Sequence, residues 1–364
     1  SVQGASIYEK DVEMPDTACL VWYYFELATD SGVVCLGSDG MGEKVNSFQI
    51  TVYNADYKTP DWFKTAVAYQ IFPDRFCNGT GEFLGNRTDI IKRNWGDTPF
   101  YSAEQFGGEY KSNDFFGGNF RGIAEKMDYI ASLGTTILYL NPISKSFSSH
   151  RYDTGDYKTP DPMLGTIQDF RDMCDAAHKR GMKVILDGVY SHTGSNSLYF
   201  NKYGTFKAKG AYNSKESPFY NWFTFHNWPD SYNSWWDFDT LPTVKKMEKS
   251  FLDYIINDED SVVAYWLEQG CDGFRLDVVD ELPNEFVKLL KDRIRQIRPD
   301  ALLIGEVWED ASNKEAYGER RRYFVDGVLD SCMNYPFRNA IVNFTKGKDD
   351  GFGFRNTVLS IAEN

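Results

Sequence analysis

Short runs of consecutive apolar residues alternate with longer amphipathic stretches along most of this chain, starting near residue 66. The short runs "AVAYQIF", "TTILYLNP", "MKVILDGV", "CDGFRLDV", "LLIGEV" and "GVLDSCMNY" are too brief for helices and too apolar for edge strands, so they predict buried strands of a parallel sheet. Between them, "IAEKMDYIASL", "IQDFRDMCDAAHKR", the long "VKKMEKSFLDYIINDEDSVVAYWLEQ" and "LPNEFVKLLKDRIRQI" carry apolar residues at helical spacing. Gly134, Gly181 and Gly270 follow three of these stretches, where a left-handed helix cap is easiest for a residue without a Cβ. Repeated strand-helix units predict an α/β fold of the (β/α)8 TIM-barrel type, with about six units between residues 66 and 364.

Two regions depart from that rhythm. Residues 1–55 hold the β-type runs "CLVWYYFEL", "GVVCLGS" and "VNSFQITVY", separated by turn residues, and predict the C-terminal part of a small N-terminal β-sandwich. Residues 56–65, broken by Pro60, predict a linker into the barrel. About fifty residues, 191–241, then separate the third strand from the next helix. Their Trp222, Trp228, Trp235 and Trp236 disfavour disorder, so an inserted subdomain walling a cleft is expected.

Composition narrows the function classes. A formal charge of −14 argues against a nucleic-acid partner, because phosphate backbones are held by clustered Lys and Arg. The run Arg320, Arg321, Arg322 is expected to be solvated surface. The six cysteines show no metal-ligand spacing and are expected to be buried thiols. No stretch resembles a signal peptide or membrane span, which leaves the compartment open. Aromatic residues reach 16%, more than a core needs, and flat rings with polar handles suit sugars.

In a parallel barrel the catalytic groups sit at the C-terminal strand ends. The fourth strand ends in "GFRLD" and the fifth in "LLIGE", so Asp277 and Glu306 occupy equivalent ends of neighbouring strands. Adjacent strands lie ~4.8 Å apart, and retaining glycoside hydrolysis needs carboxyls ~5–5.5 Å apart. Arg275, two residues before Asp277, points to the same side and is expected to keep Asp277 ionised and aimed. Asp187 and His192 after the third strand, and His150, Tyr152 and Asp153 after the second, reach the same rim. Singly, an acid or a histidine at a strand end is more often a helix cap, a solvated loop group or a hydrogen-bonded structural group; the case rests on their convergence.

The segments "DGVYSH", "GFRLDVVDE" and "GEVW" resemble three ordered motifs of the α-amylase superfamily of glycoside hydrolases. "AVAYQIFPDRFCNG", "FFGGNFRGI" and "FQITVYNADYKTPDWFK" are similar to the neopullulanase, cyclomaltodextrinase and maltogenic amylase branch. The resemblance implies Asp277 as nucleophile, Glu306 as acid/base, Arg275 as the nucleophile's partner, and His150, Tyr152, Asp187 and His192 as sugar-binding residues. Asp280 and Glu281 match positions on the leaving-group side. It implies cleavage of α-1,4 bonds in maltodextrins, cyclodextrins, starch or pullulan, with an α-glucan as partner, no membrane or nucleic acid, and room for a homodimer in a longer parent. No cofactor is required for this chemistry. A structural calcium near the first strand is implied through Asn78, the carbonyl of Gly117 and Asn119, whereas Ser191 is a weak ligand at the other calcium position of the superfamily.

The superfamily's fourth motif, an Asn-His-Asp segment after the seventh strand, has no counterpart before Asn364. The 364-residue polypeptide by itself is therefore expected to be inactive or nearly so. The rival readings are an α-1,6-cleaving debranching enzyme and a non-catalytic amylase-like binding subunit. A metal-dependent barrel enzyme would need clustered acidic ligands on successive strands, which are absent.

Overall fold

The computed structural model describes residues 9–348, and the chain folds as two compact units. The larger unit comprises Thr59–Val307 and Leu329–Met333. The smaller draws its described residues from 9–58, 308–328 and 334–348.

In the larger unit the expected strands form one six-stranded sheet whose spatial order is the chain order: Ala68–Ile71, Ile137–Leu140, Lys183–Gly188, Gly273–Leu276, Leu302–Val307 and Ser331–Asn334. The first five pair in parallel with unbroken register. The second and fourth strands are buried along their whole length, as continuous apolar runs require when both faces are covered. Helices Phe120–Glu125, Met127–Ser132, Ile167–His178, Val262–Gln269 and Asn284–Ile297 separate the strands in sequence, as right-handed crossovers demand. Gly134, Gly181 and Gly270 take left-handed conformations after their helices.

Three details differ from the sequence expectation. The long helix over residues 244–269 is broken into Lys249–Leu252, a π turn Asp253–Asn257, and Val262–Gln269. Asn257, Asp258 and Asp260 lie at the break, and short polar side chains offer the backbone local alternatives to helix bonds. The stretch expected as a linker does more than connect. Trp62 and Phe63 pack against Ile137, Tyr139, Ile185 and Leu302, and the Trp62 indole donates to the Asp300 carbonyl at 3.0 Å. The cysteines are all free, but only Cys174 and Cys271 are buried.

Residues 191–241 are ordered by ring packing. Trp222 stacks on Tyr199 at 5.0 Å and meets Phe251 edge-on at 5.0 Å, while Phe200 contacts Phe223, Phe225 and Tyr232. Bridges His192 to Thr243, Phe223 to Val244 and Ser234 to Pro242 tie the segment's ends together.

In the smaller unit, strands Cys19–Tyr23 and Phe48–Val52 pair antiparallel, and Phe25–Thr29, Gly32–Gly37 and Gly40–Gly42 form a three-stranded sheet. The Arg320–Arg322 run is not a uniform solvated patch: Arg321 is only 3% exposed, and Arg320 pairs with Glu315 and lies over the Trp22 ring.

Candidate active site

Strand register brings the two carboxylates together. Leu276 of the fourth strand lies opposite Gly305 of the fifth, so one step further along both strands sets Asp277 beside Glu306. Asp187 of the third strand lies opposite Arg275 of the fourth. Four residues from three adjacent strands thus converge at the carboxyl end of the sheet, where a parallel barrel places its chemistry.

Arg275 is the hub. Its Nη1 lies 2.8 Å from Asp187 Oδ1 and 2.9 Å from Asp277 Oδ1, and its Nη2 lies 2.8 Å from Glu306 Oε1. One planar guanidinium therefore fixes three acids, a role its rigid fork suits and a lysine ammonium does not. Arg275 Nε faces the Met333 sulfur at 3.4 Å. The second Glu306 oxygen accepts from the Val278 N–H at 2.9 Å, which locks the carboxyl plane. Val278 holds φ +38, an uncommon conformation for a β-branched residue and a local strain directly behind Asp277.

Three acids on one cation retain a proton. Burial, with the neighbouring charges of Asp187 and Glu306, pushes Asp277 up to about 8 against the opposing pull of Arg275. Asp187 is also raised, by complete burial, although Arg275, Tyr139 and Tyr152 counter it. The expectation that Arg275 alone keeps Asp277 ionised thus gives way to a cluster that titrates jointly. A pair that must supply one ionised and one protonated carboxyl at once needs such an arrangement.

The sugar-binding candidates line the same rim. Tyr152 donates to Asp187 Oδ2 at 3.0 Å and accepts from Asn141 Nδ2 at 3.2 Å. The His150 ring lies 5.8 Å from Tyr152, and His150 Nδ1 accepts the Tyr152 N–H. Burial lowers the His150 pKa, and it takes His192 down to about 3, so both rings are neutral at physiological pH. His192 Nδ1 meets the Ser191 hydroxyl at 2.8 Å and its Nε2 meets the Tyr152 carbonyl at 3.2 Å, which defines an Nε2–H tautomer. Ser191 is wholly buried and serves the histidine ring. Asp153 points elsewhere: its carboxylate accepts from the Phe147 and Ser148 amides and shapes the loop. Asp280 and Glu281 lie half-buried in a short 3-10 turn just after Asp277.

Five participants, Tyr139, Gln70, Asn141, Met333 and the Val278 amide, escaped the sequence reading. Tyr139 donates to Asp187 Oδ2 at 2.5 Å, and Gln70 Nε2 holds Asn141 Oδ1 at 2.9 Å, extending the network to the first strand. Met333 and the Val278 amide complete the set. Tyr139 shares a face with Ile137 and stands one strand from Asp187, a placement that the register of the two strands sets.

Asn78, Gly117 and Asn119 come together as expected, yet they do not fit a calcium ion. Asn78 Oδ1 accepts from Thr80 N, Thr80 Oγ1, Gly81 N and Asn119 Nδ2, and Asn119 Oδ1 accepts from Gly79 N and Gly122 N. Calcium takes six to eight oxygens, usually including carboxylates. Among the described residues no group of three or more His, Cys, Asp or Glu is placed to hold a metal, and no helix is long and apolar enough to cross a membrane.

Comparison with known proteins points the same way as this geometry. The chain is 38% identical to an amylopullulanase of Thermoanaerobacterium saccharolyticum over 93% of its own length and 29% of that protein's. It is 32% identical to neopullulanase 2 of Thermoactinomyces vulgaris over 89% of its length and 52% of that protein's. The chain thus spans about half or less of the length of these curated relatives. Among solved structures it resembles the type III pullulan hydrolase of Thermococcus kodakarensis, with a TM-score of 0.68 and 31% identity over 93% of this chain and 58% of that one. It also resembles the cyclic α-maltosyl-(1→6)-maltose hydrolase of Arthrobacter globiformis, with a TM-score of 0.69 and 28% identity over 84% and 64% of the two chains. The description of the α-amylase catalytic domain matches residues 70–360, which contain every carboxylate and histidine of the site, and on that match the chain belongs to the α-amylase family.

Proposed function

We propose that the protein acts as a retaining α-glucan hydrolase on α-1,4 bonds of maltodextrins, cyclodextrins and pullulan. The observation that carries this reading is the single buried Arg275 guanidinium that touches Asp277 and Glu306 from neighbouring strands. Asp277 Oδ attacks the anomeric carbon while Glu306 passes its proton to the leaving glycosidic oxygen, giving a glycosyl-aspartate. Glu306, now a carboxylate, takes a proton from water as that water displaces Asp277, and the product keeps the original anomeric form. Tyr152, beside the paired carboxylates, offers a ring face to the sugar at the cleavage point, and Asp187 fixes its hydroxyl. His192 contributes shape and neutrality, since its one N–H is already directed at the Tyr152 carbonyl.

Pullulan enters as a substrate because relatives named amylopullulanase, neopullulanase and pullulan hydrolase share this sequence over most of its length. The test is hydrolysis of maltoheptaose, β-cyclodextrin and pullulan, with the first product's anomeric form followed by NMR. It is run on the parent protein beside Asp277→Asn. Activity with retention in the parent, and its loss in the variant, are expected. Release of the inverted anomer, or an undiminished Asp277→Asn, rejects the mechanism.

A further inference from the structure

The loop after the first barrel strand and the N-terminus of helix Phe120–Glu125 are joined around one buried amide. Asn119 is wholly buried and caps the helix. Its Oδ1 accepts from Gly122 N at 2.9 Å and from Gly79 N at 3.2 Å. Backbone N–H groups need an acceptor, so these two bonds settle which end of the amide is oxygen. Nδ2 is then forced to the opposite side, where it faces Asn78 Oδ1 at 3.1 Å, Thr80 Oγ1 at 3.2 Å and the Gly117 carbonyl at 3.3 Å.

Three oxygens aimed at one point make the kind of nest that a hard cation enters, at ~2.3–2.6 Å from each oxygen for calcium. Here the occupant is an N–H donor at hydrogen-bond distance, and the surrounding side chains are neutral. Asp74, the nearby buried acid, is engaged by the Phe116 and Gly117 amides and by Arg75. The approach is tight: a Cβ on Gly122 would lie 2.0 Å from the Cys77 carbonyl oxygen, and one on Gly79 would lie 2.4 Å from Gly122 N. No slack separates the loop from the helix.

We propose that the Asn119 amide takes the place of a structural cation, so that this corner of the fold is held without calcium, and that the cation site is latent, one atom away. Asn119→Asp keeps the cap oxygen but sets a carboxylate oxygen against Asn78 Oδ1, Thr80 Oγ1 and the Gly117 carbonyl. The new oxygen then faces two acceptor-only oxygens, Asn78 Oδ1 and the Gly117 carbonyl, and the single proton of the Thr80 hydroxyl cannot offset both unless a cation sits among them.

The test is thermal unfolding of the 364-residue chain in EDTA and in millimolar CaCl2. The unsubstituted protein is expected to melt at the same temperature in both. Asn119→Asp is expected to melt lower in EDTA and to recover by about 2–4 °C or more in CaCl2, as a ligand bound only by the folded state requires. A calcium-dependent rise in the unsubstituted protein that Asn78→Ala abolishes overturns the proposal, as does an Asn119→Asp chain that calcium fails to rescue. Isothermal titration of Ca²⁺ into the unsubstituted protein needs no variant to fold. Absence of binding heat is expected, and stoichiometric binding lost in Asn78→Ala overturns the inference.

Discussion

Replacing Asp277 by asparagine should stabilise the protein, and the gain should grow with pH. The Asp277 carboxyl is 10% exposed, and burial together with Asp187 and Glu306 lifts its pKa to about 8. An aspartate in an unfolded chain titrates near ~3.9. Between those values the folded state binds the extra proton, so the contribution of this group is complete below pH ~4 and is lost as pH rises through about 8. A shift of roughly four units corresponds to ~6 kcal/mol if Asp277 titrates alone. Asp187 shares its guanidinium and is raised by burial as well, however, and a proton lost by one of the two acids is partly kept by the other. Dividing the interaction between two acids leaves ~3 kcal/mol for the substitution. Asparagine preserves the shape and still accepts from Arg275. Urea unfolding of both proteins at pH 5, 7 and 9 measures the difference directly, since a changed midpoint at constant slope reports stability. The variant's advantage should widen from pH 5 to pH 9. An advantage that stays constant or shrinks over that range refutes the reasoning.

Arg275→Lys should lower stability by ~3–5 kcal/mol, read as a fall in the urea midpoint, because one ammonium cannot serve the contacts that Nη1 and Nη2 make and a buried carboxyl is left uncompensated. Asp272→Asn should cost ~2–4 kcal/mol at pH 7, since Asp272 anchors His178 at 2.7 Å, Arg298 at 2.9 Å and Lys183 at 3.2 Å. Burial of Asp272 is outweighed by the His178 and Val184 hydrogen bonds, which lower its pKa. That stability is present above pH ~4 and lost as pH falls through the depressed folded value, so the gap between Asp272→Asn and the parent should close in acid. Trp222→Ala should destabilise by ~3–5 kcal/mol in thermal unfolding and admit protease within residues 191–241, because Tyr199, Phe219, Phe251 and Tyr254 all pack on that ring.

The barrel strands and the paired acids were legible because both follow from short-range patterns. Continuous apolar runs mark strands covered on two faces, and strands in chain order put Asp277 and Glu306 at equivalent ends. What was not legible depends on register between distant segments. Nothing in "TTILYLNP" says that the Tyr139 hydroxyl will meet Asp187, 48 residues away, until Tyr139 is set opposite Ile185. The helix expected over residues 244–269 failed for the opposite reason, because its apolar spacing was right while Asn257, Asp258 and Asp260 offered the backbone other partners. Asn119 shows how far composition alone can carry a metal assignment. Its residue type allows an oxygen or a nitrogen to face Asn78, and only the two backbone amides of Gly79 and Gly122, one from a loop and one from a helix, decide between them. Ligand geometry that depends on which way an amide turns is a tertiary property, so a resemblance can name the donors without saying which atom of each faces the site.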